Sequence, residues 1–278
     1  MIVTLLVEKR RNKSLAQLIS SLFVPFRIDA RVKKQCHVSV LQIKYKLMRG
    51  KIEFGWFYPR LSGSDLMVLC DRDTDLSGTK LTRFESSDFN RAMMLSFIRS
   101  MTSGNETELS GLRAAYFDPQ GEHPDEAGYL AEILPDLTIV TDMPKYYEIF
   151  ADSLLYEKGL ALTVSNDYSL LSDRPLIVTS CAIDRELPLS SQSIVFSPEK
   201  PLVSAKYPVL WKFDVDVPEK YLRLKPDWID DGYFLSALYS LEGIKKLAGL
   251  VPEKAGSGNE SFSAGSLLRR LDSIKKSA

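Results

Sequence analysis

Apolar residues recur along this chain in two rhythms, and the change between them predicts its layout. The first fifty residues read as strand, helix, strand. Ile2–Val7 is a short apolar run, and Leu15, Leu18, Ile19, Leu22 and Phe23 share one face of a helix over 14–23 that Ser14 caps and Pro25 ends. His37–Leu47 alternates as a strand does, Met48–Lys51 is a turn, and Ile52–Phe57 is a returning strand. Leu66–Cys70 is a buried type of strand. Phe89, Met93, Met94, Phe97 and Ile98 then mark one side of a helix capped at Ser86 or Ser87.

After the turn-forming Ser103-Gly104-Asn105-Glu106 the pattern becomes regular. Short apolar strands at 113–117, 137–141, 160–164, 176–179 and 194–196 alternate with helices at 124–134 and 145–158, the second stopped by Gly159. At most two helical turns fill 166–171. Strands separated by crossover helices imply a parallel sheet. The fold class expected is α/β, a three-layer parallel sheet preceded by a smaller α+β lobe. Further on, 209–217 reads as a strand and 230–247 as a helix. The stretch 255–259, Ala-Gly-Ser-Gly-Asn, reads as a linker before a short amphipathic helix at 266–276. The domains expected are therefore an α+β lobe over 1–104, the parallel-sheet domain over 105–252, and a flexible linker with tail over 253–278. That tail offers Leu267, Leu268, Leu271 and Ile274 to the body of the protein or to a protein partner.

Composition changes little in this picture. The chain has 278 residues, 45% hydrophobic and 26% charged, enough apolar material for a real core. No apolar run is long enough to span a membrane, and the charges near the start follow the first apolar run instead of preceding it. The expectation is a cytoplasmic protein. Three cysteines, Cys36, Cys70 and Cys181, make no disulfide framework, and His37 and His123 are the only histidines, so no zinc-ligand cluster is expected. Asp71, Asp73 and Asp75 alternate as at the start of a calcium loop, but Leu76 and Thr82 stand where such a loop needs Gly and Glu. Net charge is zero, yet residues 1–51 hold twelve Lys or Arg against Glu8 and Asp29. Such a segment either docks on the acidic remainder or binds nucleic acid. Turns and strands scatter the charges, which favours docking.

Ala114–Asp118 as a first strand, Leu137–Asp142 as a second, a third ending at Ser165-Asn166-Asp167 and Leu176–Ser180 as a fourth together resemble the nucleotide-binding half of Rossmann-type dehydrogenases, in a shikimate-dehydrogenase-like layout. The resemblance covers about a third of the chain and implies a parallel sheet in the order 3-2-1-4-5. It implies a site at the C-terminal ends of the strands, with Asp118, Gly121, Asp142 and Ser180 as candidate cofactor-binding residues. Asp142 follows Gly121 by about the twenty residues that place an acid on the adenosine ribose. The competing reading makes it the cap of the next helix.

The phosphate loop departs from the family. Asp118-Pro119-Gln120-Gly121-Glu122-His123-Pro124-Asp125-Glu126 has one glycine where three are needed. Its two prolines lack N–H donors, and its acids repel phosphate at a helix N-terminus. The expectation is no bound cofactor, with NAD or NADP as the alternative. No nucleophile elbow or P-loop occurs, and His123 is a lone candidate for proton transfer. The catalytic residues are unknown at this stage. The functional reading is a non-catalytic binding or interaction module, the alternatives being a nucleotide-dependent oxidoreductase with a degenerate phosphate loop and nucleic-acid binding through the basic segment.

Overall fold

A computed structural model describes residues 1–9, 26–35, 37–47, 66–71, 73–77, 81–105, 110–242, 249–258 and 260–277. The helix expected at 14–23 and the strand expected at 52–57 lie outside the described residues. The chain divides into two compact units, each built from two stretches: 1–86 with 216–248, and 87–215 with 249–278. The division falls at Ser86 and not at the Ser103-Gly104 turn. The reason is α1 (Asp88–Thr102), whose Phe89, Met93, Met94, Phe97, Ile98 and Met101 are buried in the second unit.

The first unit is a four-stranded sheet ordered β2-β3-β1-β4, from β1 (Ile2–Lys9), β2 (Phe26–Gln35), β3 (Val38–Leu47) and β4 (Met67–Cys70). β2 and β3 form an antiparallel hairpin, while β1 runs parallel to both β3 and β4. Val3, Leu5, Leu41, Ile43, Tyr45, Val68 and Cys70 share one core cluster. β2 is a strand that the apolar pattern does not announce. It lies at the sheet edge, where Arg31, Lys33 and Lys34 discourage further pairing. Several charges of the basic segment are engaged inside this unit. Lys46 pairs with Glu8 at 3.4 Å, Arg31 with Asp29 at 3.4 Å, and the Lys44 ammonium lies 4.7 Å from the Trp228 ring centre.

The second unit is a doubly wound sheet. β5 (Arg113–Phe117), β6 (Asp136–Val140), β7 (Thr163–Ser165), β8 (Leu176–Thr179), β9 (Ile194–Phe196) and β10 (Val209–Leu210) lie in the order β10-β9-β8-β5-β6-β7, all parallel. This is the expected 3-2-1-4-5 order extended by one strand, and it makes the unit Rossmann-like. The strands read as apolar runs because helices or loops cover both faces. One face carries Ala115, Phe117, Val140, Ile177 and Val195. On the other, Phe97 of α1 meets Phe196 of β9 at 5.9 Å between ring centres.

The crossovers are α2 (Pro124–Ile133) and α3 (Pro144–Lys158). Both place Pro in the first turn, where its missing N–H costs nothing. α3 ends at Gly159 in a left-handed conformation, φ 69°. Gly128 lets the two helices approach, since a Cβ there would sit 3.0 Å from Phe150 Cζ.

The predicted strand over 209–217 is two strands. β10 closes the parallel sheet, and β11 (Lys212–Asp214) turns away to pair with β12 (Lys254–Gly256), which pairs with β13 (Ser261–Ser263). Within the stretch expected to be a flexible linker, Ala255 and Gly256 belong to a strand, and the Ser257 N–H donates to the Glu260 carbonyl at 2.9 Å. α6 (Ala264–Ser277) packs on α1 and buries Leu267, Leu268 and Leu271 within the unit. Two helices, α4 (Glu219–Leu222) and α5 (Asp231–Glu242), belong to the first unit. Among the described residues no helix is long and apolar enough to cross a membrane.

Candidate active site

In a doubly wound sheet, ligands enter outside the carboxyl ends of the strands, where the order reverses. Here that point lies between β5 and β8, the strands that Asp118 and Ser180 directly follow. Asp118 is fully buried at 0% exposure and Ser180 nearly so at 1%. A carboxylate taken out of water needs donors, and three converge on it. The Ser180 hydroxyl donates to Oδ1 at 2.8 Å, the Tyr147 hydroxyl to Oδ2 at 2.7 Å, and the His123 backbone N–H to Oδ2 at 3.0 Å. Gly121 closes the same loop through its N–H to the Asp118 carbonyl at 3.3 Å. Its φ of 70° and the 3.1 Å its Cβ would keep from Met143 Cβ explain why glycine stands there.

A second network adjoins this one through His123. The Tyr116 hydroxyl donates to Glu126 Oε2 at 3.0 Å, and Arg91 reaches Oε1 at 3.2 Å. His123 Nδ1 lies 3.9 Å from that same Oε1. Burial, with the Glu126 charge second, drives the Tyr116 hydroxyl far above its usual range. Burial and then the bond to Asp118 do the same to Tyr147. Both phenols stay neutral donors at any pH the fold survives.

Asp142 sits elsewhere on the edge, at the turn between β6 and α3, and is exposed. It does not cap α3: the Met143 N–H is taken by Thr141 Oγ1 at 3.1 Å. The Asp142 carboxylate instead accepts the Tyr168 hydroxyl at 2.8 Å, and burial followed by that bond pushes Tyr168 up to about 12. Asp184 and Arg185, paired at 2.9 Å, add their charges near this tyrosine. Of the four candidate residues, Asp118, Gly121 and Ser180 therefore form one closed assembly, and Asp142 forms a separate open pair.

Sequence reasoning missed both tyrosines. Tyr147 carried a faint signal, a phenol on the inward side of a helix with a buried position to fill and a hydroxyl to satisfy. Tyr168, in the 3₁₀ turn Tyr168–Leu171, carried none.

The pyrophosphate that a Rossmann unit implies does not fit the β5–α2 loop. The two hydroxyls and the cap amide that could receive an anion are already bonded to Asp118, and Asp125 and Glu126 occupy the first turn of α2. Ser180 and Asp118 form a hydroxyl–carboxylate pair of the kind that activates nucleophiles, but at this burial neither reaches a substrate. Cys181 follows as a half-buried free thiol, which burial above all pushes upward, away from the thiolate.

No family model and no curated protein matches the chain. Three solved structures are similar at low identity. One is Δ1-pyrroline-2-carboxylate reductase of Thermococcus litoralis with NADH and L-proline, at 11% identity and TM-score 0.28, covering 39% of this chain. The chain spans 36% of that protein's length. Another is quinate dehydrogenase of Corynebacterium glutamicum with NAD, at 10% identity and TM-score 0.29, covering 71% of this chain and 79% of the other. The third is L-tryptophan dehydrogenase of Nostoc punctiforme, at 12% identity and TM-score 0.30, covering 99% and 88%. The Rossmann-like character of the second unit stands on its own strand order.

Proposed function

We propose that this chain is a Rossmann-like binding module that takes a nucleoside-type ligand at the open Asp142–Tyr168 end of the sheet edge and holds no pyrophosphate at α2. The observation that carries this reading is the state of Asp142. It is released from helix capping, exposed, and held by one tyrosine hydroxyl on one of its two oxygens. A carboxylate at the end of the second strand of such a sheet accepts hydrogen bonds from ribose hydroxyls. The Asp118 assembly supports the other half of the reading, because it fills the place of the phosphate loop with the protein's own carboxylate.

Titration calorimetry with adenosine, AMP, NAD and NADP tests both halves. The reading expects adenosine and AMP to bind, Asp142→Ala to abolish binding, and the dinucleotides to gain nothing from their second half. A ligand at a hundred times its dissociation constant also stabilises the fold by about 2.7 kcal/mol, which a melting curve detects. No binding by any of the four ligands at millimolar concentration sinks the nucleoside half. NAD or NADP binding far more tightly than AMP sinks the other half and restores a nucleotide-dependent oxidoreductase.

A further inference from the structure

α3 is poorly buried for a crossover helix. Only Tyr147 and Leu154 are fully enclosed, although the helix is rich in large apolar residues. Ile149 is 74% exposed, Tyr156 92% and Tyr146 53%, and Met143 just before the helix is also 53% exposed. Tyr146, Ile149, Ser153 and Tyr156 follow one another at spacings of three and four, so they form one stripe on the side turned away from the sheet. Taking about 200 Å² for a large side chain, the four apolar residues expose roughly 500 Å², the size of a functional patch on a monomer.

We propose that this stripe is the contact face of a homodimer, in which the α3 helices of two copies cross antiparallel about a two-fold axis between Ile149 and Ser153. A two-fold contact uses one patch twice, so the patch must complement itself. This one does. An antiparallel crossing sets Tyr146 of one copy beside Tyr156 of the other at both ends of the stripe. Ser153, the small residue near the axis, lets the helices approach. Its hydroxyl already donates to Glu157 at 3.1 Å, so closing the interface strands no donor. Lys145 and Asp152 lie on the same flank of the stripe seven residues apart, and the two-fold brings each Lys145 towards the other copy's Asp152. Two copies together remove about 1,000 Å² of apolar surface, the lower bound of a specific interface before the polar rim is added. The flanking Glu148, Asp152 and Glu157 repel an anionic bilayer, which sets a membrane surface aside as the occupant.

Sedimentation velocity on the full chain across the micromolar range tests the proposal independently of any ligand. The expected result is a concentration-dependent dimer that Ile149→Asp weakens by about tenfold or more. Ile149 is exposed, so the variant's circular dichroism should match the parent's, and its melting curve should match at concentrations below those that populate the dimer. Lys145→Glu should weaken the dimer, and Lys145→Glu with Asp152→Lys should restore it, which a general loss of stability would not do. A parent chain that stays monomeric throughout the range overturns the proposal, as does a dimer indifferent to Ile149→Asp. A monomer that presents the stripe to vesicles or to another protein overturns it as well.

Discussion

Replacing Asp118 with Ala removes the acceptor on which three donors converge. A hydrogen bond to a charged group contributes about 1.5–3 kcal/mol, so three of them approach 4–9 kcal/mol before opposing effects are counted. The opposing effect is desolvation, since a carboxylate at 0% exposure has lost its water at a cost of several kcal/mol that the variant no longer bears. The Ser180 and Tyr147 hydroxyls left behind each cost about 1–3 kcal/mol if nothing replaces their acceptor. The net loss expected is about 2–5 kcal/mol, which at about 2–4 °C per kcal/mol lowers the melting temperature by roughly 5–15 °C. Asp118→Asn should cost less than half as much, because one amide oxygen still accepts and the hydroxyls can rotate to accept from the amide N–H. Asp125→Ala, an exposed acid in the first turn of α2, serves as control and should cost no more than about 1 kcal/mol. Differential scanning calorimetry measures the shifts, and hydrogen exchange at Leu176–Ser180 localises them. An Ala variant that melts with the parent, and exchanges with it along β8, would refute the claim that the carboxylate organises this edge.

Three further outcomes follow from the same packing. Leu271→Ala should cost about 2–5 kcal/mol in chemical unfolding, and truncation after Pro252 more, because α6 is buried on α1; an unchanged transition would return the tail to the status of an appendage. Tyr168 and Tyr233 are pushed up to about 12, and Tyr116 and Tyr147 higher still, so the folded state disfavours their ionisation. The stability these tyrosines contribute is complete below their unfolded value near 10 and is lost as pH rises from there through 12; absorbance at 295 nm should then rise together with unfolding, and full ionisation of the folded chain near pH 10 would contradict it. Cys181, whose thiol burial holds above its usual range, should be alkylated by iodoacetamide at pH 8 more slowly than a free cysteine, as peptide mapping reads it; an equal rate would mean an open site.

The doubly wound sheet was legible because its signal is local. Ala114–Phe117, Leu137–Val140 and Leu176–Thr179 are short apolar runs separated by helices of the right length, and that rhythm leaves few topologies open. β11 lay inside the strand expected over 209–217, but β12, β13 and their pairing with it were not legible, because that pairing is a property of distant segments. Ala255-Gly256-Ser257-Gly258 has the composition of a linker, yet Gly256 is there for close packing: its Cβ would stand 2.9 Å from the Glu260 carbonyl oxygen. β2 was hidden for the opposite reason, since an edge strand needs charges and shows little apolar alternation. At the site, Asp118 and Ser180 could be named from their places at strand ends. Their joining through Tyr147 depends on the rotational phase of α3, which a helix with so few enclosed side chains does not reveal. Asp142 looked like a cap because Asp caps many helices. The helix has no side-chain cap at all: Met143 stands at the cap position, and its own N–H donates to Thr141 Oγ1.

The pairing of β11 with β12 has a consequence for how the chain is made. Both units are assembled from segments far apart in sequence, and β11 emerges from the ribosome long before β12, which follows the whole excursion through 216–248. Closing a loop of that length costs about 3 kcal/mol of chain entropy. Until it closes, the apolar side of α1 has neither β12 nor α6 against it. During vectorial synthesis the doubly wound sheet therefore lacks this cover until residues 254–277 have emerged. For that interval Phe97 and Phe213, whose rings lie 6.3 Å apart in the finished fold, border an unfinished surface.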